Sequence, residues 1–126
     1  MSNLTIGTTK EVQAVADESR LAVNVGSGTL RVLATPSVAA LMEQAACELV
    51  QPFMAEGITT VGTMITIQHI RATAFNVPVK AVATLTDVTD RKYSFTVEAY
   101  DMDGLIAKGT HERFSVNIER FMSKLK

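Results

Sequence analysis

Cysteine is nearly absent from this chain: Cys47 stands alone among 126 residues, so no intramolecular disulfide can form. There are only two histidines, and neither is paired with a second ligand at metal-binding spacing, which leaves a zinc site little to stand on. Neither sign of charge predominates, with 12 Lys and Arg against 13 Asp and Glu. A net charge of -1 with a pI near 6.1 provides no basic field for nucleic acid or an anionic membrane surface. No apolar run approaches the roughly 20 residues needed to cross a bilayer. The opening "MSNLTIGTTKEVQ" lacks a basic head followed by an apolar stretch, so a cytoplasmic location is expected. Internal repeats, linkers and low-complexity tracts are missing too, and 1–126 reads as one domain. The nucleophile elbow G-x-S-x-G, the P-loop and the dinucleotide fingerprint are all absent, and "GSG" at Gly26 to Gly28 reads as a loop.

What is present is an ordinary globular composition, 47% hydrophobic and 20% charged. The first twenty residues are weakly patterned, and Leu21 to Val25 form a short strand candidate that stops at the Gly-Ser-Gly. The signal sharpens at Thr35. Threonine is a good N-cap, and Pro36 suits the first helical position with its fixed φ and missing N–H. Val38, Leu41, Met42, Ala45 and Leu49 then recur at helical steps, which predicts a helix to about Met54 with Gly57 beyond its end. At about 1.5 Å per residue that helix is near 28 Å long.

After Gly57 the pattern turns to period two. "TTVGTMITIQHIRATAF", "VKAVATLTDVT", "RKYSFTVEAYD" and "LIAKGTHERFSVN" read as four consecutive strands, predicting an antiparallel meander, with "NIERFMSKLK" as a short terminal helix. One long helix and such a sheet make an α+β layout: a curved antiparallel sheet wrapped around one long central helix.

Within the helix, Gln44, Glu48 and Gln51 form a polar strip, but Glu43 lies outside it among Ala39, Ala40, Ala46, Cys47 and Val50. Small neighbours admit a second subunit or a ligand. A carboxylate desolvated there needs a partner, because a charge taken from water is costly unless paired. Taken alone, this position suits a carboxylate bonded to backbone or to an arginine of a neighbouring strand. His69 shares its strand face with Ile65 and Ile67 and starts from the apolar side, where most histidines are satisfied core residues. His111 shares a face with Gly109 and Arg113, which reads as a polar surface cluster. Cys47, mid-helix among alanines, reads as inert packing.

The segments "ALMEQAAC" following Ala34 and Thr35, "VGTMITIQHIRAT" and "GTHER" together resemble the hot-dog fold thioesterases, in particular the fluoroacetyl-CoA thioesterase family, over roughly Thr35 to Leu125. The resemblance implies a hot-dog fold and an acyl-CoA thioesterase, with Thr35, Glu43 and His69 catalytic. It also implies that the Gly62 backbone N–H helps hold the thioester carbonyl and that Arg113 belongs to the substrate site. It further implies a homodimer with sites at the subunit interface, and no cofactor beyond the CoA of the substrate. Two departures stand out. Only "GSGTLRVL" occupies the place of a longer aromatic-bearing segment of that family, and Pro36 replaces a glycine and removes a backbone donor. The alternative is a non-catalytic module that binds acyl-CoA; a hydratase would resemble an Asp-x-Asn-Pro-x-His pattern, which does not occur here.

Spacing adds a constraint. Thr35 and Glu43 lie eight positions apart, about 12 Å of helix rise, so within one helix they cannot be in contact. The site therefore bridges two subunits or is connected through water and substrate. Val38, Met42, Phe53 and Phe75 are acyl-pocket or core residues, and Arg91, Lys92 and Arg113 are candidate CoA-phosphate partners.

Overall fold

The computed structural model describes residues 4–125. Strand β1 (Thr9–Val15) leads through a 3-10 turn at Glu18–Arg20 into the short helix α1 (Ala22–Val25). The long helix α2 (Thr35–Val50) follows, continued by a 3-10 turn at Gln51–Phe53. Then come β2 (Ile58–His69), β3 (Pro78–Thr89), β4 (Lys92–Asp101), β5 (Gly104–Asn117) and helix α3 (Ile118–Ser123). The sheet is antiparallel in the order β1-β3-β4-β5-β2.

The expected four-strand meander is therefore only partly present. Strands β3, β4 and β5 are hairpin neighbours, but β2 pairs with β5 at the far edge, and β1, hidden in the weakly patterned N-terminal stretch, closes the opposite edge beside β3. The Leu21 to Val25 strand candidate is instead the end of a turn and the helix α1, stopped by Gly26 in the left-handed region at φ 90°. Leu21 contributes only an isolated bridge to Leu33. The terminal helix is present, and Asn117 caps it by accepting from the Arg120 backbone N–H at 3.0 Å.

Helix α2 crosses one face of the sheet and packs on β1, β2, β3 and β4. Val38, Leu41, Met42, Ala45, Ala46, Leu49 and Val50 are buried between the layers, as their spacing predicts. Opposite them stand Ala81, Ala83 and Leu85 of β3 and Phe95 and Val97 of β4, all at most 1% exposed. Burying this apolar area is the main force that seats the helix on the sheet. The helix ends earlier than its pattern suggests, because Pro52 removes a backbone donor. Its polar strip is exposed, with Gln44 donating to Glu48 at 2.8 Å.

Candidate active site

The expected site residues fall into two groups in one chain. In the first, Thr35 and His69 meet: Thr35 Oγ1 lies 2.8 Å from His69 Nδ1. The structure corrects the capping role given to Thr35. Ala34 is the N-cap and makes no side-chain cap bond, Thr35 is the first helical residue, and Pro36 is the second. The first N–H groups of a helix have no partner within it, so the proline sacrifices no helical bond. The Thr35 hydroxyl is thus free of the helix and engaged with the imidazole. His69 is partly buried, and among the described residues its Nε2 has no hydrogen-bond partner although it is shielded from water. Burial lowers the pKa of the ring, outweighing a smaller opposing effect of the Arg71 backbone.

This pair lines a cleft of about 290 Å3 whose walls include Ala22, Leu33, Ala34, Ile70 and Ala72. A larger cleft of about 490 Å3 lies on the outer face of the sheet among Thr66, Thr96, Thr110, Glu98 and Lys108. Gln68 and Thr110, the chain neighbours of the two histidines, line that cleft, but neither histidine does, whereas Thr35 and His69 both line the smaller one. Val38 and Met42 are fully buried core rather than pocket lining, while Phe53 and Phe75 are exposed. Arg31 lies over the Phe75 ring at 4.8 Å.

The second group is built around Gly62. A Cβ at that position would come within 2.6 Å of Glu43 Oε2, 3.2 Å of His111 Cε1 and 3.3 Å of Arg113 Nη1. Only a glycine admits the carboxylate here. Glu43 has the arginine partner that its position calls for, Arg113 Nη1 at 3.9 Å, and its side chain is 43% exposed in the single chain. Arg113 itself is buried. It donates from Nε to Thr60 Oγ1 at 2.8 Å and from Nη2 to the Thr60 carbonyl at 3.0 Å.

His111 is not on the surface, contrary to the reading of its strand as a polar cluster; it is 1% exposed and stacks against Phe95 with ring centroids 5.8 Å apart. Its Nδ1 lies 2.7 Å from the Met64 carbonyl, which can only accept, so Nδ1 carries the proton. Its Nε2 then accepts from Arg113 Nη1 at 3.2 Å. His111 is therefore neutral, with its pKa lowered by burial first and by the adjacent guanidinium. Its function is to fix Arg113 toward Glu43. The signal for it in the sequence was its place in line with the small residues Ala107 and Gly109, which are close-packed on the same strand face.

A β-bulge brings Gly62 and His69 to the same face. They are seven positions apart, and strict alternation would put them on opposite faces. The β2–β5 register shifts between Gly62 and Met64, with Thr63 the extra residue, so Gly62 points to the helix side before the bulge and Ile65, Ile67 and His69 do so after it.

The two imidazoles give a pH prediction. Both are held neutral in the fold, so both ring resonances are expected to titrate below the usual histidine value in an NMR titration. Since the unfolded chain takes up protons first as pH falls through the usual histidine range, stability declines there and in the window down to the folded pKa values.

A single helix laid on an antiparallel sheet of this order is the architecture of hot-dog fold thioester hydrolases. A hot-dog-like protein from Thermanaerovibrio acidaminovorans shares this fold with a TM-score of 0.87 at 20% identity, over 95% of this chain and 89% of its own. The crystal structure of a point mutant of the fluoroacetyl-CoA-specific thioesterase superposes with a TM-score of 0.93 at 27% identity, over 99% of this chain and 97% of that one. The fluoroacetyl-CoA thioesterase of Streptantibioticus cattleyicolor is 35% identical over 95 residues, 75% of this chain and 68% of that protein. Residues 15–119 match the fluoroacetyl-CoA-specific thioesterase family, and the chain belongs to that family.

Proposed function

We propose that this protein hydrolyses a short-chain acyl-CoA thioester to the free acid and CoA in the cytoplasm, at a site that two copies of the chain assemble. The orphaned Nε2 of His69 carries this reading. A buried nitrogen without a hydrogen bond is costly, and its Nδ1 is already occupied by Thr35, so Nε2 is the atom turned to a reacting partner.

The group that attacks the thioester beside it is Glu43, but not the Glu43 of the same chain. From Gly62 to His69 the strand runs about 20 Å once the bulge is allowed for, and from Thr35 to Glu43 the helix rises about 12 Å. One thioester carbonyl cannot touch both groups. Strand β2 has a free outer edge, since among the described residues it pairs with β5 alone. A long unpaired edge is a template for another strand. Antiparallel pairing of two β2 strands about a two-fold axis midway between Gly62 and His69 sets Gly62 of one chain opposite His69 of the other, on the same face. The half-exposed Ala39 and Cys47 and the exposed Ala40 flank Glu43 with small side chains where a second copy approaches.

In the assembled site Glu43, paired with Arg113, supplies the attacking oxygen, either that of a water it deprotonates or its own, in which case water then hydrolyses the resulting anhydride. His69 Nε2 manages the proton that the departing thiolate takes up, and Thr35 holds the ring through Nδ1. The Gly62 N–H stabilises the oxyanion. The helix start adds little: Pro36 has no N–H, and those of Ser37 and Val38 both bond the Ala34 carbonyl at 3.0 and 3.1 Å. No metal or further cofactor enters this reading. The acyl group enters the aliphatic cleft beside Thr35, which suits a compact acyl chain. Its test is thiol release across a series of acyl-CoAs: turnover concentrated on short acyl groups supports the reading, and tight binding without turnover replaces it with a binding module.

A further inference from the structure

Of the arginines and lysines first considered for CoA phosphates, Lys92 is paired with Glu112 at 3.7 Å and Arg113 is buried in the Glu43 cluster, which leaves Arg91. Arg91, between β3 and β4, lines a cleft of about 100 Å3 with Arg120 and Phe121 of α3, Lys124 at its C-cap, and Val116 and Asn117. Among the described residues five cations have no ion pair: Lys10, Lys108 and the three gathered here. Three exposed, unpaired positive charges around one cleft repel one another, and on a chain of net charge -1 they mark a local site for an anion.

The cleft is tied by backbone bonds to the two strands of the Gly62 cluster. Ile118 N–H donates to the Gly57 carbonyl at 2.9 Å, just before β2, and Ser115 N–H of β5 donates to the Arg91 carbonyl at 2.9 Å. Arg113 pairs with Gly62 and Val116 with Thr59, so the cleft begins three residues along β5 from the Gly62 level, about 10 Å away. Between its thioester sulfur and its first phosphate, CoA has three amide-length units, each about 3.5 Å or longer when extended, so the arm covers this gap and brings the pyrophosphate to the cleft.

We propose that Arg91, Arg120 and Lys124 bind the phosphates of the 3′-phospho-ADP end of the CoA thioester, with the half-buried Phe121 ring offering an apolar surface to the adenine. This rests on the hydrolase reading for its substrate, and it is tested separately from it.

Calorimetric titration of the full chain with adenosine 3′,5′-bisphosphate is expected to show binding that weakens roughly tenfold in Arg120→Gln/Lys124→Gln, the loss appropriate to two solvent-exposed charge contacts. Both side chains are exposed, and an unchanged melting temperature confirms that the variant folds. KM for acyl-CoA rises by a similar factor with kcat unchanged, while neither parameter moves for the acyl-N-acetylcysteamine analogue, which lacks the nucleotide. If acyl-CoA turns over but its KM is unmoved in the variant, the cleft assignment falls and the hydrolase stands. If nothing turns over but bisphosphate binding is still lost in the variant, the cleft stands and the hydrolase falls. Bisphosphate that does not bind, or is displaced equally well by inorganic phosphate, overturns the nucleotide assignment.

Discussion

Glu43→Gln is expected to leave the fold intact and to lower kcat by about 10² to 10⁴, the range of a positioned acid–base group. The substitution keeps the size of the side chain and removes the charge that faces Arg113 at 3.9 Å. Because Glu43 is half exposed in the single chain and α2 is held by its opposite face, circular dichroism and melting temperature are expected to change little. His69→Ala is expected to fall in the same range, since it removes the ring that Thr35 orients.

Gly62→Ala is the second large effect. The added methyl meets Glu43 Oε2 at 2.6 Å and crowds both His111 and Arg113, so the carboxylate has to swing away. Arg113 cannot yield, being fixed to Thr60 at two points and to His111 at a third. A misplacement of this size in a reacting group costs about 10²-fold in rate. Steady-state kinetics checks it: kcat falls while binding of a CoA product by the distant cleft is retained. A serine or valine at the same position is expected to behave no better.

These expectations show which parts of the site were legible in the sequence. The helix was written in its apolar spacing, and Glu43 was conspicuous because its angular position disagreed with the polar strip of Gln44, Glu48 and Gln51. The strand candidates from Gly57 onward lay where β2 to β5 lie because their period-two pattern is strong, except that the first, Thr59 to Phe75, runs six residues past His69, where β2 ends. Their order in the sheet was not legible: nothing in residues 70–77 announces that the chain crosses from β2 at one edge to β3 near the other.

Thr63 illustrates a different limit. A bulge is one extra residue, and "VGTMIT" carries no mark of it beyond its glycine, yet it decides whether Gly62 and His69 share a face. His111 and Arg113 looked like surface residues because charge usually lies outside. They are buried because they satisfy each other, Thr60 and the Met64 carbonyl, a closed set of bonds that no local pattern displays. Strand β1 was missed because it is an edge strand with only Val12 fully buried, so its alternation is faint.

The central claim is that one site combines Glu43 and Gly62 of one chain with Thr35 and His69 of another. Mixing the folded Glu43→Gln and His69→Ala chains after dissociation and reassociation tests it directly, by thiol release from the preferred acyl-CoA. Half of the randomly reassembled dimers contain one copy of each, and each of these has one site with both lesions and one with neither, so about a quarter of wild-type activity is expected to return. Activity that stays at the level of the separate variants, in a sample shown to contain mixed dimers, would contradict a site shared between two chains.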